Sequence, residues 1–154
     1  MTAEITTSSP EETQDLARRL AGLLSGGEVI VLMSDLGGGK TTFTQGLLLG
    51  LGYAGKVTSP TFTLNNIYSL PGGLAVHHYD LYRLSVGGVV AAELAEDIAT
   101  PKIITVIEWP AAAERELPAD RLTINFEPIS DSGRVLRLIG SGPVSDHLVS
   151  EIKL

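Results

Sequence analysis

At 154 residues and 44% hydrophobic content, the chain can bury one sizeable core, and its composition argues against disorder. Its net charge of -7, from 11 basic and 18 acidic residues, argues against a stand-alone binder of nucleic acid, because phosphate contacts need basic patches. With no cysteine, no apolar run near the ~18 residues of a membrane span and no basic-plus-apolar leader, the sequence predicts one cytoplasmic domain over 1–154, without disulfides, thiol chemistry or cysteine zinc sites.

The first predicted element is a helix. Ser9 caps it, Pro10 suits its first turn, Glu12 completes a capping box, and Leu16, Leu20, Leu23 and Leu24 share one face before Gly26-Gly27 end it. Val29–Met33 is apolar throughout, the form of a central strand buried on both faces. A second helix is expected over Thr41–Leu51, stopped near Gly52. Phe62–Leu70 and Leu74–Tyr82 flank a Pro-Gly-Gly turn and read as a hairpin. Val89–Ala99 reads as helix. "KIITVIEWP" reads as another buried strand, ending in Glu108. "RLTINFE" and "RVLRLIG" form a second expected hairpin, followed by an amphipathic tail after Gly142. The fold class is therefore α/β, with a mixed, partly antiparallel central sheet.

The chemistry concentrates between the first strand and the second helix. "SDLGGGKT", Ser34 to Thr41, follows the phosphate-loop pattern Gly-x4-Gly-Lys-Ser/Thr, with serine in the first position. Asp35, Leu36, Gly37, Gly38 and Gly39 supply backbone N–H groups that turn inward around an anion. Lys40 reaches phosphate oxygens, the Thr41 hydroxyl suits Mg²⁺, and Thr42 suits the α-phosphate. A plain glycine-rich turn explains the glycines but not Lys-Thr at this spacing. Serine at position 34 is strained only if its φ is positive.

Such a site needs an acid at a neighbouring strand end to hold Mg²⁺ or position water. Asp80 and Glu108 both qualify, and a helix cap or a solvated edge explains either acid equally well alone. Thr58, Ser59, Thr61 and Thr63 form a hydroxyl-rich run that reads equally as a switch loop or as turn chemistry around Pro60. Adjacent His77 and His78 face opposite sides of a strand, and a structural role is expected for them. Trp109 precedes Pro110, which predicts an extended backbone, with its ring toward the site rim or a partner.

Together "DLGGGKTTF", "SPTFTL", "HYDLYRL" and "EWP", in this order, resemble the TsaE (YjeE) family of small bacterial ATPases, which act in making threonylcarbamoyladenosine in tRNA. The resemblance spans roughly Ser9 to Arg137. It implies a phosphate-loop NTPase three-layer sandwich, ATP as nucleotide, Thr41 and Glu108 as Mg²⁺ ligands, and Asp80 as the acid needed for hydrolysis. It further implies Arg134 near the nucleotide and Thr61 in a switch-like loop. Its implied partner is a two-protein threonylcarbamoyl transferase complex of the TsaD and TsaB type, which holds the tRNA. The chain departs from the family's pattern at Ser34, where glycine is usual, and at Gly38, where alanine is usual.

Other classes fit less of the sequence. A small-molecule kinase on this fold wants an arginine-bearing lid, and no arginine lies between Arg83 and Arg115. A GTP switch wants an Asn-Lys-x-Asp guanine reader, which is lacking. A nucleotide-dependent interaction module with weak hydrolysis is the remaining alternative.

Overall fold

The computed structural model describes residues 1–35, 37–57, 65–82 and 88–153. Its strands are β1 (Thr2–Thr7), β2 (Val29–Met33), β3 (Asn65–Ser69), β4 (Ala75–Asp80), β5 (Ile103–Glu108), β6 (Leu122–Pro128) and β7 (Arg134–Gly140). The helices are α1 (Pro10–Ala21), α2 (Lys40–Gly50), α3 (Gly88–Ile98) and α4 (Pro143–Ile152). All strands join one sheet in the order β1-β7-β6-β2-β5-β4-β3. The central β6, β2, β5 and β4 run parallel, while β3, β7 and β1 add antiparallel edges. The expected mixed sheet and both hairpins are present.

Strand alternation sorts the layers. Ile30 and Leu32 of β2, Val76 of β4, and Ile104 and Val106 of β5 face the main core with α1, α2 and α4. Residues of the other parity, Val29, Tyr79 and Ile107, pack with Leu94 of α3 and with Ala113 in a smaller cluster. The result is a three-layer sandwich with its larger core on the α1/α2 side.

Helix α1 starts as expected, with the Ser9 hydroxyl accepting the Glu12 N–H at 3.2 Å. The Glu12 carboxylate reaches back one residue further, to the Ser8 N–H at 2.7 Å. The helix stops at Ala21, capped by Gly22, earlier than Gly26-Gly27 predict. Those two glycines instead turn the chain into β2, with φ of 111° and 89°. Gly46 lets α2 lie directly on α1, since a Cβ there would sit 2.5 Å from the Gln14 carbonyl oxygen. Strand β1 was not expected. It lies on the sheet edge and pairs with β7, more than 125 residues away in the chain (Thr7↔Arg134).

His77 and His78 do face opposite ways. His77 Nδ1 lies 2.7 Å from Asp97 Oδ2 on α3, and the Tyr79 hydroxyl donates to the same carboxylate. This trio ties the end of α3 to β4. Burial, reinforced by Asp97, pushes the Tyr79 phenol far above the usual tyrosine range. An unfolded tyrosine ionises near pH ~10, so above that pH the unfolded chain releases a proton that the folded chain keeps. Stability therefore falls as pH rises from there. Tyr79→Phe should remove this component, seen as a shallower alkaline decline in urea unfolding from about pH 9 to about pH 11. An unchanged decline would mean that Tyr79 titrates normally.

Candidate functional site

The site forms where the central parallel strands end. Strand β2 runs into the loop, the loop into α2, and β5 and β4 end beside it. Register fixes the neighbours: Leu32 pairs with Glu108, and Glu108 with Asp80. His78, Asp80 and Glu108 share strand parity with Val76 and Val106, so all three lie on the α2 side of the sheet. Each acid lies on the last residue of its strand, where ligands gather in α/β sheets.

Within the loop, Gly37 and Gly39 have φ of 79° and 108°, which only glycine adopts readily. Among the described residues, Trp109 is the sole non-glycine with positive φ, so Ser34 carries no such strain. Helix α2 opens at Gly39 without a side-chain cap, and no acidic residue lies in its first turn. Among the described residues its first N–H groups thus have no side-chain acceptor, the arrangement that favours a bound anion.

Lys40 is buried, at 7% exposure. Its Nζ donates to the Ser34 carbonyl at 3.2 Å and to the Ser34 Oγ at 3.1 Å, and lies 4.0 Å from Glu108 Oε1. It also sits 4.3 Å from the centroid of the Trp109 ring. Burial pushes the ammonium below the usual lysine range, against the opposing pull of Glu108, Asp80 and Asp35. Desolvation outweighs the three acids, so the charge is under-compensated and a further anion would stabilise it.

Glu108 is buried, and its Oε2 lies 2.6 Å from His78 Nε2. His78 Nδ1 is buried with no hydrogen-bond partner among the described residues. An Nε2–H that donates to Glu108 leaves only a bare lone pair at Nδ1, which costs less than a stranded N–H. Asp80 Oδ1 accepts the Tyr82 N–H at 2.9 Å. Arg134 opens β7 and reaches the loop, its Nε donating to the Gly38 carbonyl at 3.1 Å and its Nη1 to the Gly133 carbonyl at 2.8 Å.

The structure thus brings together Asp35, Gly37, Gly38, Gly39, Lys40, Arg134, Glu108 and Asp80, with Thr41 and Thr42 in the first turn of α2. Thr41 is exposed and Thr42 half-buried. Leu36 and Thr61, with the rest of the 58–64 run, lie outside the described residues. Residues of the donor set fit a Mg²⁺–nucleotide: an uncapped helix start, a buried lysine short of negative charge, and a carboxylate oxygen, Glu108 Oε1, not bonded to His78.

Trp109 departs from expectation. Its φ and ψ are 57° and 61°, left-handed rather than extended. The chain must turn at once from β5 into the 3-10 turn Pro110–Ala113, and the turn lays the ring over Lys40 and against Tyr82, 4.8 Å away. Such a conformation costs on the order of 1–3 kcal/mol. Beyond it a cleft of about 340 Å³ opens between Met33, Ser34, Asp35, Trp109 and Asn125.

Sequence reading missed His78 as a site residue. The signal was there, since His78 is two residues before Asp80 and so shares its face. His78→Ala should leave the buried Glu108 carboxylate without its donor and lower the thermal midpoint by about 6 °C or more. His78→Gln, which keeps a donor, should lose less, and equal losses in scanning calorimetry would contradict the assigned bond.

Comparisons with known proteins show the family. The family model described as "Threonylcarbamoyl adenosine biosynthesis protein TsaE" matches residues 7–136. The chain is 34% identical over 151 residues to the tRNA threonylcarbamoyladenosine biosynthesis protein TsaE of Bacillus subtilis, covering 95% of this chain and 90% of that one. It is 42% identical over 115 residues to the protein of the same name from Streptomyces coelicolor, covering 74% and 78%. The crystal structure of Bacillus subtilis YdiB superposes with a TM-score of 0.81 at 32% identity, over 99% of this chain and 94% of that one. The matched residues include the loop, both acidic strand ends and Arg134, and on this likeness of sequence and fold the chain belongs to the TsaE family.

Proposed function

We propose that this protein binds Mg-ATP at the 34–41 loop and hydrolyses it in support of threonylcarbamoyl transfer to tRNA adenosine. The transfer itself is carried out by a two-protein complex of the TsaD and TsaB type. The observation that carries the nucleotide part is Lys40: a buried cation at an uncapped helix start, with its pKa lowered by burial despite three acids. The family's role, threonylcarbamoyl adenosine biosynthesis, carries the pathway part. The net charge of -7 supports leaving tRNA contact to the partners rather than to this chain.

In this reading the loop N–H groups and Lys40 bind the β- and γ-phosphates, and Thr42 meets the α-phosphate. Thr41 and Glu108 would hold Mg²⁺, which neutralises charge on the phosphate oxygens when bound. His78 orients Glu108 through the 2.6 Å contact. Asp80, beside Glu108 in register, orients the attacking water and accepts its proton. Arg134 holds the loop through the Gly38 carbonyl, and Thr61 belongs to a loop that senses the γ-phosphate. Trp109 shields the lysine from water on the cleft side.

The cleft beside Trp109 favours one second reading, a small-molecule kinase with its acceptor in that space. ATP consumption that requires an added acceptor would select it. Hydrolysis with water alone selects the ATPase.

Lys40→Ala should abolish productive ATP binding, and calorimetry showing wild-type affinity would remove the phosphate cradle. Glu108→Gln should weaken the Mg²⁺-dependent part of ATP affinity by about tenfold or more, because it loses a charged oxygen ligand. Asp80→Asn should bind ATP normally but hydrolyse it at least about a hundredfold more slowly, the scale of a lost general base. The reverse pattern in Mg²⁺ titrations and single-turnover rates would exchange the two roles.

A further inference from the structure

Gly38 is the loop glycine that backbone conformation does not explain. Gly37 and Gly39 have positive φ, but Gly38 does not. What excludes a side chain at position 38 is Ser34. A Cβ at 38 would lie 2.5 Å from the Ser34 Cβ and 2.4 Å from its Oγ, with the Asp35 carbonyl oxygen at 3.0 Å. Turning χ1 of Ser34 moves Oγ but leaves its Cβ fixed to the backbone, so no rotamer relieves the overlap.

The Ser34 hydroxyl is also engaged as both donor and acceptor. It accepts from Lys40 Nζ at 3.1 Å and donates to the Asp35 carbonyl at 2.8 Å. Its neighbouring carbonyl takes a second bond from the same ammonium at 3.2 Å. One short side chain therefore fills the space beside position 38 and holds the buried lysine.

We infer that Ser34 is a positioning residue for Lys40 and that Ser34 and Gly38 form one coupled unit, in which position 38 must be glycine because position 34 carries a side chain. The inference rests on the nucleotide-binding reading only for what Lys40 faces, while the packing half stands without it. The pair can change only together. Alanine at 38 opposite Ser34 must push the loop apart. Opposite glycine, alanine at 38 loses the two closest of these contacts and keeps the Asp35 carbonyl at 3.0 Å, which a shift of a few tenths of an ångström relieves.

The test is a mutant cycle on the full chain, read first as thermal midpoints without nucleotide. Gly38→Ala should lower the midpoint by about 4 °C or more, as overpacking does. Adding Ser34→Gly should return it to within about 1 °C of Ser34→Gly alone. Adding Ser34→Ala instead, which keeps the offending Cβ, should not rescue it. The hydroxyl is tested separately. Trp109 is the only tryptophan, and Lys40 lies over its ring, so its emission reports where the lysine sits. Ser34→Ala should shift that emission and weaken Mg-ATP binding by about tenfold. An unchanged spectrum overturns the positioning role, and an additive cycle overturns the coupling even where wild type binds Mg-ATP normally. A coupled cycle in a protein that binds no nucleotide supports the inference while removing the proposed function.

Discussion

The Lys40 ammonium is the charge around which the site is arranged. A lysine at 7% exposure loses most of its hydration, and burial wins against Glu108, Asp80 and Asp35 in setting its pKa. Its neighbours are each a partial remedy. Ser34 offers a carbonyl and a hydroxyl, Glu108 stands at 4.0 Å, and Trp109 offers a π-face at 4.3 Å, a contact worth about 0.5–2 kcal/mol. None is a tight ion pair, because Glu108 spends its shorter contact on His78. A carboxylate bound directly to Lys40 would satisfy the cation and leave it little reason to bind phosphate. Holding the nearest acid at a distance, and tying that acid to a histidine, keeps the cation available.

The sheet makes this arrangement possible. Parallel pairing of β2 with β5 and of β5 with β4 sets Leu32, Glu108 and Asp80 side by side. Since strand side chains alternate, a single parity choice puts His78, Asp80 and Glu108 under α2 and sends His77 and Tyr79 to α3. A one-residue slip of β4 would exchange the two sets, placing His77 and Tyr79 beside the loop. The Asp97 contacts on the far face therefore protect the register on which the near face depends. This is a positioning role for a cluster that touches nothing in the site.

Much of this was legible in the sequence because it rests on local rules. The loop spacing, the apolar β2 and β5, the Pro-Gly-Gly hairpin and the acid ending β5 need only neighbours within a few residues. The features that escaped depend on distant parts of the chain. Strand β1 alternates only weakly, through Ala3, Ile5 and Thr7, and its partner β7 is the far hairpin arm. His78 is a polar residue in a buried strand, and nothing local says that Glu108 waits 30 residues later. For Trp109 the local rule pointed the wrong way: Pro110 disfavours compact backbone before it, but the immediate turn from β5 into Pro110–Ala113 prevails and brings the ring to Lys40 and Tyr82. Ser34 looked like a loss of glycine's freedom, yet its backbone needs none of that freedom and its side chain is in use. The two loop positions that depart from the family's pattern, Ser34 and Gly38, are also the two whose side chains would collide.

Most of the places where the chain breaks a local rule lie together, the buried Thr105 hydroxyl on the far face of β5 being the exception. A buried lysine short of negative charge, a left-handed tryptophan, an uncapped helix start and a histidine with an orphaned ring nitrogen are parts of one site. Each destabilises the unliganded fold, and each bears on the same small volume. Elsewhere among the described residues, the buried Thr105 hydroxyl apart, the same kinds of group are satisfied. Asp120 caps α4 through Val144 and Ser145, Glu28 accepts from Ser25 and Gly26, and Ser9 caps α1. A chain that caps two helices and a tight turn with side-chain oxygens has the means to cap α2 as well. Leaving α2 bare beside an under-compensated lysine is what an anion site requires, because any internal acceptor there would compete with the ligand. On the proposed reading the stability forgone locally is recovered on binding, and the loop should be among the first parts of the fold to tighten when the anion is added.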